Sequence, residues 1–176
     1  FVGAQATGDV MVWRIADGTR LTTIQDRGSV AALVPWRDER AVAIARNDGR
    51  IERIDLDTSA VRVLGQLAAA PTQLVVHPDG RQVLVVDNAA AAWVVDGEQA
   101  TPRCLARERV VTLDVSPDGR CVALADHLGV RLHDFATGNS LVQELHGSRG
   151  VSEVRFRADG SGLVGLGARI VVWDLH

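Results

Sequence analysis

Short apolar runs separated by polar turns fill the chain from end to end. AVAIA (41–45), QVLVV (82–86), CVALA (121–125) and IVVW (170–173) are nearly continuous in Val, Ala, Ile and Leu. Turn formers punctuate them at intervals of roughly eight to twelve residues, which predicts short strands and leaves no room for helices. The runs do not alternate apolar with polar, so the strands are expected to be buried on both faces. Residues 107–147 show the unit most clearly. Four strands are expected there, over 110–115, 121–125, 129–135 and 140–145. They are joined by SPDGR, by a polar turn at 126–128 and by ATGN at 136–139. In the first turn Pro presets φ, Asp bonds its own backbone and Gly takes the left-handed position of a tight hairpin.

The unit repeats. Counting back from Trp173 in steps of about forty residues meets His133, Trp93, Ile54 and Trp13. A second mark keeps the same phase: HPDG at 77–80, SPDG at 116–119 and RADG at 157–160, with Asp38 at the matching place one period earlier. Two independent marks on one period divide the chain into units 1–26, 27–67, 68–106, 107–147 and 148–176. A small antiparallel sheet buried on both faces must be stacked between two others. Serial stacking with a fixed twist gives a radial array of blades, so the expected fold is all-β, a β-propeller of four-stranded antiparallel blades.

These residues resemble the WD-repeat propellers. LHGSRGVSEVRFRADGSGLVGLGARIVVWDL (145–175) and SPDGRCVALADHLGVRLHDFATGNSLV (116–142) follow most of that family's pattern, and the likeness covers the whole chain. It departs at His146-Gly147, where the pattern has Gly-His, and at Ile54 and His133, which stand in the Trp position. Asp48 and Asp87 are read as the family's turn aspartate, six residues before that position. No blade carries the family's complete His–Ser/Thr–Asp–Trp hydrogen-bond network.

The strand count by period is 3 + 4 + 4 + 4 + 3, about four and a half blades. An open arc leaves apolar faces and strand edges exposed, which ring closure removes. The resemblance implies that a final blade ending after its third strand receives its outer strand from the N-terminal side. The chain is therefore read as the C-terminal part of a larger, seven-bladed ring, with about a hundred residues of propeller before Phe1. A closed five-blade arrangement is the second reading.

Composition narrows the function. Net charge is −3, and all 19 basic residues are Arg, scattered singly. Without a basic stripe, no nucleic acid is expected as a partner. The longest mainly apolar stretch, 83–95, is broken by Asp87 and Asn88 and is too short to cross a membrane as a helix, so no membrane is expected either. Cys104 and Cys121 make no disulfide framework and suit a reducing cytoplasm. The lack of Lys beside abundant Ala, Val and Arg suggests a GC-rich bacterial genome.

Candidate chemistry is sparse. No two of the histidines 77, 127, 133, 146 and 176 have metal-ligand spacing on one element. His77 and His133 are read as packing residues, and His146 as orienting the strand crossing. Ser116 is a turn former, because no Gly-x-Ser-x-Gly surrounds it. GLVGLG (162–167) lies in a strand with no Lys-Ser/Thr and no following helix, so it is no phosphate loop. Asp114 and Glu153 lie on inner strands and are the only candidate acids for a central channel. No catalytic residue, cofactor or metal is expected.

Connectivity puts the crossings between blades on the same face as the second-to-third-strand turns. By resemblance, this face is the one most used for partners. It carries Arg27, Asp48, Asp87, Asn88, Arg109, His127 and Arg149, together with Ser29, Asn47, Thr72, Gln73, Arg107 and Ser148. Arg is a favoured interface anchor, which puts Arg109 and Arg149 first. Trp36 points to the opposite face, as a second contact or as a cap on the blade rim. The expected function is a non-catalytic protein–protein interaction platform in a larger cytoplasmic signalling or scaffolding protein. The alternative is a small-ligand or catalytic site at the mouth of the central channel.

Overall fold

The computed structural model describes residues 2–4, 9–14, 16–24, 28–36, 40–99, 101–107 and 109–175. These residues form eighteen strands in five antiparallel sheets. The first sheet holds β1 (Val2–Ala4), β2 (Val10–Trp13) and β3 (Arg20–Ile24). The second holds β4 (Val30–Pro35), β5 (Ala41–Arg46), β6 (Arg50–Asp55) and β7 (Val61–Gln66). The third holds β8 (Pro71–Val76), β9 (Gln82–Asp87), β10 (Ala92–Asp96) and β11 (Arg103–Ala106). The fourth holds β12 (Thr112–Val115), β13 (Cys121–Ala125), β14 (Val130–Asp134) and β15 (Ser140–Val142). The fifth holds β16 (Val151–Phe156), β17 (Gly162–Gly167) and β18 (Val171–Asp174). Every sheet is an up-and-down meander, and the strands fall where the turn residues predict them.

The sheets stack in chain order, β4 against β8 and β12 against β16. This explains the continuous apolar runs. In β5, Val42 and Ile44 face the first sheet with Val10 and Ile24, while Ala43 and Ala45 face the third with Val83 and Val85. In β13, Val122 and Leu124 face Leu84 and Val86, while Ala123 and Ala125 face Val154 and Leu163. Successive side chains of a strand point to opposite faces, so each face meets a different neighbour. Alanines on one sheet meet larger side chains on the next, the complementarity that a close-packed interior requires.

The strand register corrects one expectation. Ile54, His133 and Trp173 each pair with the second residue of their neighbouring strand, Val42, Val122 and Leu163. In the third sheet that place belongs to Val95, opposite Val83, and Trp93 lies two residues earlier, opposite Val85. The truly periodic residue is the next one. Asp55, Asp96, Asp134 and Asp174 pair with Ala41, Gln82, Cys121 and Gly162, each the first residue of its strand. The likeness of two tryptophans outweighed the polar mark beside them. Asp38 lies outside the described residues.

Adjacent sheets are also tied at their inner strands. The Gln73 amide donates to Leu113 O and accepts from Leu113 N, both at 3.0 Å. Asp114 accepts from Phe156 N at 2.7 Å.

Candidate functional site

The residues expected to contact partners do not share one environment. The three four-stranded sheets each close the second-to-third-strand turn with a polar pair at fixed places. In the third sheet Asp87, 4 % exposed, accepts from Trp93 Nε1 at 2.7 Å and from the backbone N–H groups of Ala89 and Ala91. In the fourth, Asp126 accepts from Arg131 at 2.9 Å and from the N–H groups of Leu128 and Gly129. In the second sheet the place of Asp87 is taken by Arg46 and that of Trp93 by Glu52. The two are bonded at 3.0 Å with both side chains 2 % exposed, and Arg46 also donates to Gly28 O.

The register separates the two turn aspartates. Asp87 locks its turn, with its carboxylate bonded inside the blade. Asp48 is not its counterpart: it sits at the exposed tip of the turn, accepts from Arg50 N at 3.0 Å and pairs with the Arg50 guanidinium at 2.9 Å. Gln73 and Ser148, read as face residues, also serve the fold. Ser148 is fully buried, and its hydroxyl accepts from Val130 N at 2.9 Å. His146 is exposed, and it is its backbone carbonyl, not its ring, that the Trp173 indole bonds, at 2.8 Å.

Asn88, Arg109, His127 and Arg149 are exposed. Arg109 adopts a left-handed backbone with φ of 68°, uncommon for a side-chain-bearing residue. The crossing that holds it is tied to the third sheet's turn by Val110 N donating to Ala90 O at 2.9 Å. That bond brings Asn88 and Arg109 onto neighbouring loops, with Arg107 exposed beside them. Arg149 is 79 % exposed at its side chain and loosely paired with Glu144 at 3.6 Å. Arg27 lies outside the described residues.

The opposite face is organised by residues at the start of the first hairpin turn. Trp36, His77, Ser116 and Arg157 are equivalent, since each N–H bonds the carbonyl of the first residue of the following strand. Trp36, 4 % exposed, donates from its indole to Gly80 O in the third sheet at 3.0 Å. His77 donates from Nε2 to Gly119 O in the fourth at 2.9 Å and stacks on Phe135 at 4.1 Å. The first-hairpin residue of one blade thus latches onto the hairpin glycine of the next. Trp36 is a buried latch, not a surface contact. Ser116 is too short to reach across, and bonds Asp118 of its own turn at 2.6 Å.

The remaining candidate chemistry is used within the fold. Asp114 braces the fifth sheet, and Glu153 pairs with Arg155 at 3.1 Å. Burial pushes the Cys121 thiol up to about 11, with the Asp118 charge adding to the effect, which suppresses the reactive thiolate. His133 donates to Gly138 O through Nδ1 at 3.2 Å, as a packing residue. GLVGLG is strand β17. A Cβ on Gly165 would lie 2.6 Å from the Trp173 ring, and one on Gly162 would lie 2.4 Å from Trp173 O. The glycines make room for the tryptophan. Among the described residues, no group of three His, Cys, Asp or Glu side chains is placed to hold a metal ion.

No family model matches the chain, and no curated protein matches its sequence. Among solved structures it is similar to the β-propeller domain of Myceliophteria_thermophila Cps50 (Swd1), with a TM-score of 0.84 at 13 % identity. The match covers 99 % of this chain and 62 % of that one. At this identity the likeness is one of architecture, and together with the stacked four-stranded meanders it establishes the fold as a β-propeller.

Proposed function

We propose that the chain is a non-catalytic protein–protein interaction platform, an arc of a larger WD-repeat-like propeller in a cytoplasmic signalling or scaffolding protein. The observation that carries this reading is the contrast between the two kinds of polar residue. Buried carboxylates and imidazoles are bonded inside the blades, while Arg107, Arg109 and Arg149 stand exposed on one face, Arg109 on a strained backbone. Arg is enriched at interface hot spots because its planar fork bonds and stacks at once. Of the two candidate channel acids, Asp114 accepts from Phe156 N, and Glu153 forms a half-exposed pair with Arg155.

The larger ring is supported by the fifth sheet. Its Leu163 face packs on the fourth sheet, whereas the other face leaves Leu166, Ile170 and Val172 37 %, 71 % and 60 % exposed. The equivalent faces of the other sheets cover the next blade, and the further blades of the same propeller are the proposed occupant.

The test is partner capture by the full-length protein, wild type against the double variant Arg109→Ala and Arg149→Ala. The expected result is a loss of about tenfold or more in affinity with an unchanged Tm, since both side chains are solvent-exposed. Unchanged capture, or a lowered Tm with capture intact, would refute the assignment.

A further inference from the structure

We propose that the notch between the fourth and fifth sheets, on the face opposite the crossings, receives a tryptophan side chain from a partner protein, whose indole N–H donates to Gly160 O. The proposal rests on the reading of the chain as an interaction platform and adds a second, chemically defined site to it.

The site is the place of a missing latch. Trp36 and His77 each cross from the first hairpin of one sheet to the hairpin glycine of the next, bonding Gly80 O at 3.0 Å and Gly119 O at 2.9 Å. Ser116 holds the latch position in the fourth sheet, and Gly160 is the hairpin glycine of the fifth. The Ser116 hydroxyl is used inside its own hairpin, donating to Asp118 and accepting from Cys121 N. Among the described residues, no hydrogen bond reaches Gly160 O. The space follows the same order. A Cβ on Gly119 would come within 2.8 Å of the His77 ring, and one on Gly80 within 3.7 Å of Trp36 Nε1. For Gly160 the nearest atom beyond its chain neighbours is Pro117 Cδ, at 4.0 Å.

The short serine leaves a notch of about 320 Å³, walled by Pro117 and Cys121 of the fourth sheet and by Phe156 and Leu175 of the fifth. Leu175 is the counterpart of Phe135, since each N–H bonds the carbonyl of the residue after the hairpin glycine. Phe135 is buried under the His77 ring, whereas Leu175 is left half-buried at the notch. The two neighbouring latches show what fills such a place: a planar ring that donates one N–H. Shape and hydrogen-bond direction select the occupant here. Gly160 O and the carboxylates of Asp118 and Asp159 are acceptors. An indole N–H donates and never accepts, while a neutral imidazole carries an acceptor nitrogen as well. Charges of both signs reach the lining, Asp118, Asp134 and Asp159 against Arg120 and Arg157, so net charge does not select the occupant. A neutral indole meets these terms and packs its ring against Phe156 and Pro117. A second cleft of about 350 Å³ shares those two residues and leaves room for the residues flanking the tryptophan.

The experiment titrates the full-length protein with a fluorescein-labelled Gly-Ser-Trp-Ser-Gly peptide. Separate arms carry the same peptide with the indole nitrogen methylated, with Phe for Trp and with Arg for Trp. The tryptophan peptide is expected to bind, and each of the other three to bind about tenfold more weakly or not at all, as expected for losing the hydrogen bond or the ring. Ser116→His recreates in the fourth sheet the His-Pro-Asp-Gly turn of the third, and fills the notch from within. That variant is expected to raise Tm and to weaken binding of the tryptophan peptide by about tenfold. The methylated peptide tests the wild-type protein directly, and decides the matter even if Ser116→His folds poorly. Partner capture by Arg109→Ala with Arg149→Ala tests the crossing face, and binding of the tryptophan peptide to that same double variant tests the notch, so either reading can fail alone. Absent binding, equal binding of the methylated, phenylalanine or arginine peptide, or unchanged binding in a Ser116→His protein that melts at or above the wild-type Tm would each overturn the proposal.

Discussion

In the three four-stranded sheets the pair of places that closes the second-to-third-strand turn carries three different chemistries: Arg46 with Glu52, Asp87 with Trp93, and Asp126 with Arg131. The backbone asks only that a donor face an acceptor there, so the sign of the charge is free to invert. Inversion is costly to undo halfway. Arg46 and Glu52 are almost wholly buried, and removing one partner leaves an uncompensated charge in a low-dielectric site. Glu52→Gln is therefore expected to destabilise the fold by about 3 kcal/mol, whereas replacing both residues by apolar side chains of similar volume should cost far less. Chemical denaturation of the three proteins checks this, and an equal loss in single and double variants would contradict it. The swap also shows why the turn residues were misaligned from sequence. Asp48 lies near the expected spacing and carries the expected functional group, but only the strand register reveals that Arg46 occupies the structural place.

The hairpins and turns share one electrostatic device, an aspartate whose carboxylate accepts hydrogen bonds from the residues that follow it. The Ser116 hydroxyl and then Arg120 N hold Asp118 below the ordinary carboxylate value of 3.8. The Thr137 hydroxyl and backbone N–H do the same for Asp134, and Ser161 N and its hydroxyl for Asp159. A carboxyl group with a depressed folded-state pKa stabilises the fold above its unfolded value, and that contribution is lost as pH falls through the folded value. Tm is thus expected to be insensitive to these groups near neutrality and to fall as pH drops below about 4. Asp118→Asn should lower Tm at pH 7 and flatten the decline between pH 4 and 2. An unaltered acid profile in that variant would show that the turn does not contribute. These turns were readable in advance, because Pro-Asp-Gly acts through local backbone geometry. The latches of Trp36 and His77 were not, since each is completed by a glycine carbonyl in the next blade. Gly119 illustrates the dependence: a Cβ there would come within 2.8 Å of the His77 ring.

At the scale of the molecule, stacking leaves the outer face of the fifth sheet without a partner among the described residues. Leu166, Ile170 and Val172 on the fifth sheet form an apolar surface of the kind that promotes association when left open to solvent. Residues 1–176 expressed alone are expected to self-associate, and Ile170→Thr with Val172→Thr should shift the sedimentation profile toward monomer. A cooperatively melting monomer of the wild-type segment would overturn the larger-ring reading. Strand number, strand positions and the stacked-sheet architecture follow from periodic turns and doubly buried runs, both of which are local or compositional properties. Burial of Asp87, Gln73 and Ser148, the charge swap at Arg46 and the open notch between the fourth and fifth sheets follow from contacts between residues distant in the chain. A linear pattern records which side chains are polar. Which of them spend their hydrogen bonds inside the fold, and which remain available to another molecule, depends on the partner that packing brings within about 3 Å.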